Sequence, residues 1–214
     1  MKINFLGDSI TEGVGASNIE SCYVNQVAKI LNCDVNNYGI SGTRIARQKK
    51  PSSPLSFDLD FQLRAEIIDE NADLTVVFGG VNDFSHGDAE LGDLGDDSPY
   101  TFCGGLKNLI KTIKRRKLEV LFVLPLGMMG DDKPSGEGSQ KSNSLMCDYI
   151  DKMKLILKEY NVEYLDLYHF LPLPNKDGGN DYFIDFVHPN DLGHLLLAEK
   201  IVEKIKDKGN KNAV

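Results

Sequence analysis

A serine near one end of this sequence and an Asp–His pair near the other have surroundings that suit nucleophilic acyl transfer. Ser9 stands in Gly7-Asp8-Ser9-Ile10-Thr11-Glu12-Gly13, directly after the apolar run Ile3–Leu6. A serine hydroxyl attacks poorly until a base takes its proton, and the base needs a partner to orient it. Asp185-Phe186-Val187-His188-Pro189-Asn190 supplies such a pair. Within one turn, the Asp185 carboxylate could hold Nδ1 of His188 while Nε2 faces the serine. Pro189 would stiffen that turn, and Asn190 could cap a following helix. Each segment also has a plainer reading when taken alone. Ser9 can be a helix cap, and His188 an ordinary surface histidine at a helix entry.

Acyl transfer further needs donors for the oxyanion. Gly79-Gly80-Val81-Asn82-Asp83 follows the apolar run Leu74–Phe78, and Asn82 offers a side-chain amide. Tyr38-Gly39-Ile40-Ser41-Gly42-Thr43 follows Val35–Tyr38, and Gly42 could offer a backbone N–H. Either segment alone reads as a plain turn. Taken together, the ends of the first three apolar runs and the last loop supply a nucleophile, two oxyanion donors and a base pair, and that agreement points to one site. His86, His169 and His194 have no comparable company.

Elements of ordinary kinds must position these residues. Strand-length apolar runs recur at Ile3–Leu6, Val35–Tyr38, Leu74–Phe78, Val120–Leu124 and Val162–Leu167. Helical stripes lie between and after them. They are Tyr23, Val27, Ile30 and Leu31; Phe61, Leu63, Ile67 and Ile68; Leu106, Leu109, Ile110 and Ile113; Tyr149, Met153, Ile156 and Leu157; and Leu195, Leu196, Ile201, Val202 and Ile205. Alternating strands and helices predict βαβ units. With right-handed crossovers the simplest topology is a three-layer α/β/α sandwich on a central parallel five-stranded sheet. Ligands of such sheets bind outside the carboxyl ends of the strands, where Ser9, Gly42 and Asn82 fall. The polar stretches 85–98 and 127–143 also follow strand ends, and read either as substrate walls or lids or as tolerated insertions. One domain over residues 1–206 is expected, with a frayed tail over 207–214.

Composition narrows the rest. The 214 residues are 41% hydrophobic and 26% charged, as in ordinary globular proteins. The net charge of −8 argues against nucleic acid and anionic membrane surfaces as partners. No apolar run is long enough to span a membrane. The short apolar start runs straight into Ser9, so no signal peptide is expected. Four cysteines without a CxxC pair do not make a disulfide scaffold, and Cys22 and Cys103 read as reduced core thiols, which suits the cytoplasm. The oligomeric state is left open. Asp185, His188 and His194 could be imagined around a metal, but His194 should lie too far into its helix. Ser41 lacks the final glycine of a Gly-x-Ser-x-Gly elbow, and Gly13-Val14-Gly15 lacks the spacing of a phosphate loop.

The four blocks Gly-Asp-Ser-Ile at 7–10, Gly-Ile-Ser-Gly at 39–42, Gly-Gly-Val-Asn-Asp at 79–83 and Asp-Phe-Val-His-Pro-Asn at 185–190 together resemble the SGNH hydrolase superfamily of GDSL esterases and lipases. They occur in that family's order across nearly the whole chain. Ile10 stands where the family name has Leu. The resemblance implies Ser9 as nucleophile, His188 as base and Asp185 as its orienter. It implies Ser9 N–H, Gly42 and Asn82 as oxyanion donors, a flavodoxin-like fold, and neither metal nor cofactor. A short-chain acyl ester, acetyl on a carbohydrate for example, is the expected substrate, because neither long loop is strongly apolar. The alternatives are a lysophospholipase or lipase for longer chains, and a binding module without catalysis. A flavin-binding relative of the fold is disfavoured by the acids Asp8 and Glu12 beside Ser9.

Overall fold

Residues 1–176 and 178–212 are described by a computed structural model, the side chains of 209–212 excepted. All five expected strands form: β1 Lys2–Gly7, β2 Asp34–Gly39, β3 Leu74–Phe78, β4 Val120–Val123 and β5 Glu163–Leu165. They make one parallel sheet in the order β2-β1-β3-β4-β5. The chain leaves β1 toward β2 on one side and then crosses back to β3 on the other. Such a reversal opens a crevice at the carboxyl ends of β1 and β3.

Side chains alternate along each strand and fill two cores, as a sheet covered on both faces requires. Ile3 and Phe5 of β1, Val76 and Phe78 of β3, and Leu121 and Val123 of β4 share one core with helices α2, Tyr23–Leu31, and α8, Asp191–Asn212. Leu6, Val77 and Phe122 face the other core, built with α5, Phe102–Arg115, and α7, Met146–Glu159. The α5 and α7 stripes are buried throughout. In α2, Tyr23 and Val27 are buried, whereas Ile30 lies at the surface. The α8 core face is His194, Leu197, Ala198, Ile201 and Val202, one step out of phase with the expected Leu195 and Leu196.

The stripe read over Phe61–Ile68 requires correction. Only Phe61–Arg64 (α3) is helical, capped by Asp60, whose Oδ1 accepts the Leu63 N–H at 2.9 Å. The chain then passes into turns. Phe61, Ala65 and Ile68 point inward, while Leu63 is 46% and Ile67 76% exposed. The segment therefore buries Phe61 from the short helix and Ala65 and Ile68 from the turns after it, and omits Leu63 and Ile67, two of the apolar residues expected inward.

The backbone of α8 continues helically through Asn212, across most of the stretch expected as a tail, and residues 213 and 214 lie outside the described residues. The excursions 85–98 and 127–143 are stitched together. Gly136 N–H donates to Phe84 O at 2.9 Å and Gly138 N–H to Gly87 O at 2.8 Å. A short helix, α6, Glu137–Ser142, occupies the second excursion. No helix among the described residues is long and apolar enough to cross a membrane.

Candidate active site

The first strand delivers Ser9 through a one-turn helix, α1, Ser9–Glu12. Asp8 caps it, its Oδ1 accepting the Ile10 N–H at 3.1 Å. Burial pushes the Asp8 carboxyl up to about 6, against the pull of that N–H and of the charges on His188 and Arg64. The Ser9 N–H, first in its helix, has no intrahelical acceptor.

At the far end of the chain, Asp185 organises its own turn. Oδ1 accepts the backbone N–H groups of Val187 at 2.8 Å and His188 at 2.7 Å. Oδ2 lies 2.7 Å from His188 Nδ1, and His188 Nε2 lies 2.9 Å from Ser9 Oγ. With Nδ1 protonated toward the carboxylate, the free lone pair on Nε2 faces the serine hydroxyl; this tautomer is assigned from the partners. Burial raises the Asp185 carboxyl, but the His188 ring and the two backbone N–H groups outweigh it and hold the group below its ordinary range. Asn190 caps α8 by accepting Gly193 N–H at 3.1 Å, which anchors the turn.

Ile40–Thr43 forms a tight turn with Gly42 at φ +72°, a conformation that suits glycine. A side chain there would also strike the Phe57 ring, so the position needs glycine twice over. The turn is tied down by Glu12, which accepts the Ser41 N–H at 2.7 Å and also takes the Ser41 hydroxyl. Outside helices and strands, the N–H of Gly42 meets no acceptor among the described residues. Asn82 is the second residue of a short helix, α4, Val81–Ser85, which follows Gly80 at φ +118°. Its Nδ2 donates to Thr43 O at 2.9 Å, which occupies one amide hydrogen and leaves the other free. The next residue, Asp83, accepts Ile45 N–H at 2.9 Å and Ala46 N–H at 2.8 Å, and burial pushes its carboxyl up to about 7.

These groups converge. Ser9, Gly42, Asn82 and His188 line one cavity of about 300 Å³, walled largely by Val14, Phe57, Val81, Met128 and Val187. Met129, considered with Met128 as a wall residue, is not among its lining side chains. His194 is fully buried elsewhere, accepting Tyr23 N–H at Nδ1 and facing Val14 O with Nε2. The four cysteines are free, and Cys22 and Cys103 are buried. No group of three His, Cys, Asp or Glu side chains able to hold a metal ion occurs among the described residues.

Two residues of the site were not singled out from the sequence. His86, in the excursion after β3, lines the cavity, with Nδ1 2.9 Å from Ser85 Oγ. Its place four residues past Asn82 was a usable signal. Arg64 had no such signal. Its buried guanidinium donates to Gly7 O at 3.0 Å, Leu59 O at 2.8 Å, Thr43 Oγ1 at 2.7 Å and Tyr38 O. It thereby ties together the ends of β1 and β2, from which Ser9 and Gly42 project.

The model of the GDSL-like lipase/acylhydrolase family matches residues 5–196. No curated protein sequence matches the chain. Among solved structures it is similar to a protein from Lactobacillus plantarum, at 27% identity and a TM-score of 0.77 over 96% of each chain. It also shares its fold with a possible lipase from Chitinophaga pinensis, at 18% identity and a TM-score of 0.72 over 97% of this chain and 98% of that one. A carbohydrate acetylesterase from Sinorhizobium meliloti is a third, at 17% identity and a TM-score of 0.66 over 96% and 98%.

Proposed function

The chain belongs to the GDSL-like lipase/acylhydrolase family, and from that premise we propose that it is a serine esterase acting on short-chain acyl esters, acetyl esters of carbohydrates among them. The observation that carries the reading is the hydrogen-bonded chain from Asp185 through His188 to Ser9. In the proposed reaction His188 Nε2 takes the Ser9 proton as Oγ attacks the ester carbonyl. The N–H groups of Ser9 and Gly42 and the free amide hydrogen of Asn82 receive the oxyanion. His188 then gives its proton to the departing alcohol oxygen, leaving an acyl-serine. Water, deprotonated by His188, releases the acid and restores Ser9. Asp185 holds the productive tautomer and stabilises the imidazolium.

The preference for short acyl groups rests on the composition of the two long excursions, 85–98 and 127–143, neither of which is strongly apolar as a wall for a long chain would be. We assign the activity to a single domain, residues 1–206, in a reducing, cytoplasmic setting that suits four free thiols. Hydrolysis of p-nitrophenyl acetate, butyrate and octanoate tests both parts. The expected order of kcat/KM falls from acetate to octanoate. A Ser9→Ala enzyme that keeps its activity overturns the mechanism, and a best rate on octanoate overturns the short-acyl preference in favour of a lipase or lysophospholipase.

A further inference from the structure

A second cavity, of about 500 Å³, adjoins the one at Ser9, and Phe57 and His86 belong to the walls of both. Its character differs sharply from that of the apolar acyl cavity. It is lined by Arg44, Lys50, Ser52, Asp88 and Glu137 together with the two shared residues.

Arg44 is the informative member. Its side chain lies in the interior, at 5% exposure, and Nη1 donates to Ser52 Oγ at 3.0 Å. That is its only side-chain hydrogen bond among the described residues, although a guanidinium carries five donors. Nε is enclosed by protein and has no partner among the described residues. The acids Asp83, Asp58 and Asp88 act on it only through space. Arg64, equally buried, gives the contrast, since its donors engage four acceptors. A desolvated cation held for architecture alone is expected to be satisfied as Arg64 is. Arg44 lines the cavity, and beyond the Ser52 bond its terminal nitrogens, unlike the enclosed Nε, keep donors in reserve there.

The surrounding charges indicate what those donors await. The positive Arg44 and Lys50 are balanced by the negative Asp88 and Glu137. Both Asp88 oxygens already accept backbone N–H groups, from Lys49 and Lys50 at 2.9 Å each. Glu137 is paired with Lys50 and Lys141, each at 2.8 Å. His86 adds no charge near neutrality, because loss of water around the ring and the nearby Arg44 cation hold its pKa well below the ordinary value. The cavity thus offers no net field for an anion or a cation. It presents directed donors and carboxylate lone pairs of both kinds, beside the Phe57 ring, whose electron-rich face suits C–H groups. Those are the requirements of a neutral molecule dense in hydroxyls on a carbon ring.

We propose that the Arg44 cavity is the leaving-group subsite, and that it selects esters of polyhydroxylated alcohols, sugars above all, over esters of simple alcohols. The proposal rests on the reading of Ser9 as an esterase nucleophile. With the acyl group in the apolar cavity, the alcohol part of the ester extends past Phe57 and His86 into the polar one.

The test is the ratio of kcat/KM for a monoacetylated methyl xyloside to that for ethyl acetate, both followed by acetate release. The acyl group is common, so the ratio reports the alcohol alone. The wild-type ratio is expected to exceed about tenfold, the worth of one charge-assisted hydrogen bond. Arg44→Met is expected to reduce it by about the same factor. The double variant Lys50→Ala/Glu137→Ala alters only exposed side chains at the rim, and is expected to reduce it about threefold. It decides the matter should Arg44→Met fail to fold. A wild-type ratio near unity, or a ratio that the folded variants do not move, overturns the subsite while Ser9-dependent hydrolysis stands. Acetate release that persists in Ser9→Ala overturns the reading of Ser9 as the nucleophile instead.

Discussion

Replacing Asn82 by alanine separates the tether that its amide makes to Thr43 from the oxyanion role proposed for the same amide. One Nδ2 hydrogen is held by Thr43 O at 2.9 Å, the other meets no acceptor among the described residues, and Asn82 lines the cavity that contains Ser9. Losing an oxyanion donor typically costs about 2.7–4 kcal/mol in the transition state, so kcat should fall on the order of 10²–10³-fold. KM should change little, because the donor serves an oxygen that becomes charged only as the reaction proceeds. The lost tether is a separate cost. Thr43 is fully buried, and an abandoned carbonyl there should remove roughly 1–3 kcal/mol of stability. For a chain of this length that lowers Tm by roughly 2–12 °C. Asn82→Asp removes the donor while filling the space, and its carboxylate would face the Thr43 carbonyl, so it should lose as much turnover and more stability. Initial rates on p-nitrophenyl acetate, with Tm followed by circular dichroism, give both numbers. An Asn82→Ala enzyme that remains folded and turns over within about threefold of wild type would refute the oxyanion assignment.

Three further outcomes follow from the same geometry. Asp185→Asn can still accept the Val187 and His188 N–H groups through its oxygen, but its NH₂ would face Nδ1 and leave the proton on Nε2. Turnover should drop on the order of 10²–10⁴-fold with little change in Tm, and unaltered kinetics would remove Asp185 from the mechanism. Arg64→Met takes the guanidinium donors from the carbonyls of Tyr38 and Leu59, while Gly7 O keeps the Ile40 N–H, which should cost about 2 kcal/mol or more in urea unfolding; a smaller shift in midpoint at constant m-value would deny its anchoring role. Asp83, raised from 3.8 to about 7, contributes stability that is full below its unfolded pKa and is lost as pH rises through the folded value. Wild-type Tm should therefore decline between about pH 4 and about pH 8 more steeply than that of Asp83→Asn, and parallel profiles would show that Asp83 does not titrate in this window.

The candidate site was legible in the sequence because its residues sit in short local blocks. Ser9 follows an apolar run, Asp185 and His188 share one turn, and Gly42 needs a backbone conformation that glycine supplies. Strands were legible for a related reason, since period-two burial against two cores leaves continuous apolar runs such as Leu74–Phe78. The α3 stripe misled because Phe61–Ile68 contains apolar residues in excess of those buried. Periodicity alone does not say that Leu63 and Ile67 face water.

From its residues alone, the chain determined its family, its five parallel strands and the short list of side chains proposed to carry acyl transfer. Each of these depends on interactions between near neighbours in sequence or on the alternation of apolar residues. The strand order, which opens the crevice between β1 and β3, belongs to the tertiary structure. So does the closing of 2.9 Å between His188 and Ser9, from opposite ends of the chain. So do the roles of Arg64 and Arg44. Both are buried arginines, indistinguishable by type or local pattern. One is satisfied by carbonyls gathered from distant strand ends, and the other is left with open donors beside a cavity. Only the packing of remote segments decides how many acceptors a buried guanidinium meets.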